Sequence, residues 1–210
     1  MNEYQELYKQ AMLRSEEIFG SKYLPNKMSI DLSLKDYSTD VIKNALIADF
    51  QEFIPSTNAL VGSCFKVVRE ASYVLNELGV PHYLTIGDVT YKGKPYYRTT
   101  VGSIFKEIKQ GYVPHAPANA HAWLTLESGQ VVDLTILSSV NKREHPESEL
   151  PWSQAIYVSS SEDSSELSHT PILQGFGYHL NVVSHPFEMN YSIYVQWIND
   201  FPHFNKTQNV

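Results

Sequence analysis

An α+β fold is predicted by three features of the chain. Helix-period stripes dominate the N-terminal third, two short alternating segments flank Glu127-Ser128-Gly129, and the composition supports a buried core. The 210 residues are 42% hydrophobic, 12% aromatic and 19% charged, too apolar for disorder and too interrupted for a membrane protein. A chain of this length buries roughly 70% of its unfolded surface, so one domain over 1–210 is the expectation.

Residues 3–19 read as an amphipathic helix, with Leu7, Ala11 and Ile18 opposed to Glu, Lys, Arg and Gln, and Gly20 and Pro25 punctuate its end. A second helix is expected from Ser38 to Phe53, with Val41, Ala45, Ile47 and Ala48 as its apolar positions and Pro55 as its stop. Together, residues 1–55 would form a helical cap. The third helix is the most legible. Ser63 is a suitable N-cap, Gly79 a suitable C-terminal residue, and Cys64, Val68, Ala71, Leu75 and Leu78 fall on one stripe. Cys64 therefore sits in the first turn.

A strand is expected at His82–Val89, followed by a Gly/Lys/Tyr-rich excursion and a proline loop from Val113 to Pro117. Strands at 121–126 and 130–136 form a hairpin. Residues 141–170, rich in Glu, Ser and Pro, read as a surface excursion with little structure of its own. Within 171–210, Tyr178–Ser184 and Tyr191–Ile198 are expected to return as strands.

Charge and termini exclude several roles. A formal charge of −7 with no basic cluster argues against nucleic acid as a partner. The start Met1-Asn2-Glu3-Tyr4-Gln5-Glu6 lacks a basic, apolar leader, which predicts a cytoplasmic protein. A single cysteine rules out an intrachain disulfide and a thiolate-rich metal site. Neither His115 with His121 nor His179 with His185 has helical ligand spacing, and Gly175-Phe176-Gly177 is no dinucleotide fingerprint. No metal or organic cofactor is implied.

A lone cysteine is either packing or chemistry. Cys64 continues a buried stripe, and free cysteine is among the most buried residue types. The first turn of a helix also stabilises a thiolate through its unpaired N–H groups and dipole, and the thiolate is the form that attacks acyl carbons. The hairpin bears on this choice. A two-residue turn would put His121 and Asp133 on opposite faces, whereas the three-residue loop 127–129, with Gly129 left-handed, pairs Leu126 with Gln130 and Trp123 with Asp133. In that register His121, Trp123, Asp133 and Thr135 share a face, while Ala122, Leu124, Leu126, Val132 and Leu134 line the other. Asp133 would then orient His121 and stabilise its protonated form, which supports a thiolate.

Gly62-Ser63-Cys64 opening a helix, then Leu78-Gly79-Val80-Pro81, then His121-Ala122-Trp123 and Val132-Asp133-Leu134-Thr135 resemble the core of the transglutaminase-like superfamily over about residues 58–137. The resemblance implies a papain-like arrangement in which a nucleophile-bearing helix packs on an antiparallel sheet. It also implies Cys64 as nucleophile, His121 as general acid/base and Asp133 as the orienting acid. Leu134 stands where that family has proline. Asn58 is a candidate side-chain donor to an oxyanion, or a turn residue; Trp123 shields the ion pair or packs the core. The expected activity is thioester-mediated cleavage of an amide in a peptide, protein or small molecule. Transfer to an amine acceptor and a non-catalytic peptide-binding module of the same fold are the alternatives.

Overall fold

The computed structural model describes residues 3–21, 30–114, 118–159 and 166–184. They form an α+β structure in which every strand pairing with a defined register is antiparallel. Contacts cluster in two units. One comprises residues 1–30, 83–122 and 164–201, and the other residues 31–82, 123–163 and 202–210.

The first unit holds helix α1 (Glu3–Phe19), most of strand β1 (His82–Tyr91), β2 (Lys94–Pro95), helix α4 (Val101–Gln110), the start of β3 (His121–Leu126), and β6 (Leu167–Gln174). Its last described element is a π-helical turn, His179–Val183. Tyr8, Ala11 and Ser15 form the buried stripe of α1, which packs on β6. Ser15 donates to the Ala11 carbonyl and accepts from the Gln174 amide, 2.9 and 2.8 Å, which ties the helix to the strand's end. Strand β1 pairs with β6 over residues 85–91 and with β2 through a two-residue turn at Lys92-Gly93. Both turn residues have positive φ (50° and 72°), the geometry that matches strand twist in tight hairpins.

Helix α4 falls where no element was expected. Thr100 accepts from Ser103 N (3.1 Å), and Ser103 Oγ accepts from Thr100 N (2.9 Å), a reciprocal cap that starts the helix despite Gly102. The expected strand over 178–184 is instead helical, with Asn181 Nδ2 donating to the Gly177 carbonyl (2.7 Å). The Tyr191–Ile198 segment and Pro117 lie outside the described residues.

The second unit holds α2 (Thr39–Phe53), a 3-10 turn (Thr57–Leu60), α3 (Cys64–Glu77), the rest of β3, and β4 (Val131–Asp133). α5 (Ile136–Glu144), α6 (Trp152–Ala155) and β5 (Tyr157–Val158) complete it. Its strands run in the order β3-β4-β5. α2 packs on α3, α6 and β5, so α1 and α2 serve different units rather than one cap. The buried positions of α2 are Ile42, Leu46, Asp49 and Phe50, one step out of phase from the expected Val41 and Ala45. α3 is buried nearly all round, including Cys64, Phe65, Val67, Val68, Ala71, Val74 and Leu75, as befits an interior helix. The stretch 141–170 carries the end of α5, then α6, β5 and the start of β6, where a surface excursion was expected. Ile156, Val158 and Ala155 supply its buried anchors.

Candidate active site

Helix α3 opens at Cys64, in a turn built by its neighbours. Thr57 is tied down by its N–H to Glu149 Oε1 (2.8 Å) and its hydroxyl to the Leu150 carbonyl (2.7 Å). Gly62 then takes a positive φ of 72°, which reverses the chain. Ser63 occupies the N-cap position without capping. Its hydroxyl donates backwards to the Ala59 carbonyl (2.9 Å), and no side-chain oxygen from it reaches the first turn. The Ser63 carbonyl accepts from Lys66 N and Val67 N, both at 2.9 Å, so the helical ladder begins there. Cys64 is 8% exposed, enough to class it with the core while leaving an edge of the residue open.

Asn58 lies half-buried in the 3-10 turn, where its carbonyl accepts from Val61 N at 3.3 Å. This is the turn role that its Pro-Ser-Thr-Asn context suggests.

The β3–β4 hairpin has the register expected of the three-residue loop. Leu124 pairs with Val132, Thr125 with Val131, and Leu126 N donates to the Gln130 carbonyl (2.8 Å). Gly129 carries the loop with φ 91°. Trp123 is therefore opposite Asp133, and alternation along β3 gives His121 the same side as Trp123. Both sides of β3 are buried: His121, Trp123 and Thr125 on one, Ala122, Leu124 and Leu126 on the other. The polar side is thus an interior environment, where hydrogen bonds are electrostatically stronger than in water.

Asp133 ends β4 as well as occupying the candidate site. Its Oδ1 accepts from Thr135 N (3.0 Å) and Ile136 N (3.1 Å), so the carboxylate caps α5 and stops the strand three residues earlier than the expected Ile136. Thr135 is accordingly a helix-cap position and not a strand residue. Trp123, with no exposed surface, is among the largest buried side chains and packs the interior.

His121 stacks face to face with Tyr97, ring centroids 4.8 Å apart and planes 11° from parallel. Tyr97 was not foreseen as a site residue, because the turn that delivers it depends on tertiary contacts of its backbone. Among the described residues no group of three or more His, Cys, Asp or Glu side chains is arranged to hold a metal ion. Nor is any described helix long and apolar enough to cross a membrane. No protein-family model, no curated protein and no solved structure matches this chain.

Proposed function

We propose that the protein is a cysteine-dependent hydrolase that cleaves an amide bond through a thioester on Cys64, in the manner its sequence resemblance to transglutaminase-like enzymes implies. The observation that carries this reading is the start of α3. The only thiol of the chain opens the helix, and the adjacent hydroxyl, which ordinarily caps such a turn, is bonded away from it. The first-turn N–H groups, left uncapped by Ser63, then serve as donors to a developing oxyanion.

In the proposed reaction the Cys64 thiolate attacks the acyl carbon, and the carbonyl electrons move to oxygen. Collapse breaks the C–N bond, with His121 giving its proton to the departing amine. A water then loses a proton to His121 and attacks the thioester, releasing the acid and restoring the thiolate. Asp133 is the residue that the resemblance assigns to orient the ring and balance its charge. An amine in place of water would make the same residues a transferase. The register that pairs Trp123 with Asp133 supports this assignment of roles.

The test uses the single thiol. Iodoacetamide should label Cys64 rapidly well below pH 8, and His121→Asn should slow it at least tenfold while circular dichroism shows the fold retained; His121→Ala serves as the second variant. Labelling at the rate of an ordinary thiol, or unaffected by both His121 variants, would overturn the reading. Product analysis with added hydroxylamine separates hydrolysis from transfer.

A further inference from the structure

We infer that Tyr97 is the positioning residue for His121, held in place by the buried carboxylate of Asp88. This rests on the thiol-hydrolase reading above.

A histidine ring at the end of a strand keeps rotational freedom about its side-chain bonds unless something flat lies against it. Tyr97 is that surface. The near-parallel stack at 4.8 Å opposes rotation of the imidazole out of its plane on that side, and His121 has no exposed surface although it is the first residue of β3. Tyr97 itself is half-buried, one ring lying edge-on to Tyr96 at 4.7 Å and 64°.

The backbone that delivers Tyr97 is fixed from both ends. Asp88, 8% exposed on β1, accepts with one oxygen from Val89 N (2.9 Å) and Tyr97 N (3.0 Å). Tyr96 N donates to the Val89 carbonyl (2.6 Å). Arg98 then adopts φ 58°, a strained choice for a residue with a side chain, and such strain persists where the surroundings over-determine it. Thr99 Oγ1 donates to the Asn119 carbonyl at 2.7 Å, which couples the same segment to the residues leading into His121. Asn119 is in turn held by Glu107 Oε1, which accepts from its N–H and side-chain amide, both at 2.9 Å. The buried Asp88 carboxylate thus fixes the backbone that carries Tyr97.

The experiment measures two quantities on the full chain: the Cys64 alkylation rate and the NMR shifts of the His121 ring protons. In Tyr97→Phe the stack survives, so both stay near native, with the rate within about twofold. In Tyr97→Leu the upfield ring-current displacement disappears and alkylation slows about tenfold, because small misplacements of a catalytic group cost rate steeply. Asp88→Ala, which leaves Tyr97 intact but frees its N–H, should slow alkylation in the same direction. Leu84→Ala, a core variant of the same strand, controls for general loosening. The inference is overturned if Tyr97→Leu labels at the native rate while His121→Asn is slow, if Tyr97→Phe is as slow as Tyr97→Leu, or if Leu84→Ala slows labelling equally. If His121→Asn itself labels at the native rate, the thiol-hydrolase reading falls first and this inference with it.

Discussion

Two titratable groups in the second unit, buried Asp49 and half-buried His82, should oppose each other across mild acid, and replacing one should expose the other. Asp49, 7% exposed on α2, has its carboxyl pushed up to about 6 by burial and by the negative charges of Glu70 and Glu52. His82 is pushed down to about 4 by burial, partly offset by its bond to the Val80 carbonyl. Its neutral ring is satisfied on both sides: Nδ1–H donates to Val80 O (2.8 Å), and Nε2 accepts the Ser72 hydroxyl (2.6 Å). For Asp49 the folded state binds more protons than the unfolded state between pH 3.8 and about 6, so its contribution falls as pH rises through that window. For His82 the unfolded state binds more protons between about 4 and 6.5, so its contribution rises with pH. Each gap corresponds to about 3 kcal/mol at full value, and to about 2 kcal/mol once solvent near the half-buried His82 and the exposed Glu52 is counted. The two slopes nearly cancel. Asp49→Asn should therefore gain about 2 kcal/mol at pH 7.5, nothing at pH 4, and acquire the acid sensitivity of His82. Urea midpoints from pH 4 to 7.5 measure this, since the difference between variant and native removes all other titrating groups. A gain of equal size at both ends of the range would refute the assignment to Asp49. A companion His82→Gln series should lose its extra stability deficit on going to pH 4.5; a pH-independent deficit would refute the neutral-histidine account.

Two further outcomes test the local geometry. Asp133→Asn keeps an oxygen for the Thr135 and Ile136 amides but removes the charge, so thermal stability should change by less than about 1 kcal/mol while thiol labelling slows; Asp133→Ala orphans both donors and should cost about 2 kcal/mol or more in urea denaturation. Gly177→Ala would drive its Cβ into the Phe19 ring, so it should destabilise by about 1–3 kcal/mol, read as a lowered thermal midpoint, and a neutral outcome would contradict the packing of α1 there.

The long helices were legible because each carries at least one end signal and an apolar run, even though Ser63 does not cap α3. Ser38 accepts from Val41 N as its position suggests, and Gly79 ends α3 with φ 67°. The hairpin register was legible from Gly129 as the last residue of a three-residue loop, the position that wants a left-handed residue. Helix α4 was hidden because its cap uses Ser103 where a Glu is the usual signal, and Gly102 lowers local propensity. The phase of α2 was misread because its buried face includes Asp49, a charged residue that no hydrophobic pattern selects. In the candidate site, residue types and strand faces could be read from spacing. Tyr97 could not, because its place beside His121 is set by a carboxylate nine residues earlier that binds backbone and leaves no pattern in the side chains.

The exposed Lys92-Gly93 tip of the β1–β2 hairpin lies beyond the Asp88 and Val89 bonds that fix Tyr96 and Tyr97. Extra residues spliced between Lys92 and Gly93 would be absorbed in solvent at a small loop-entropy cost. That makes the tip an attachment point for a dye or affinity handle, from which events at the tyrosine stack can be followed without adding a second thiol to the chain.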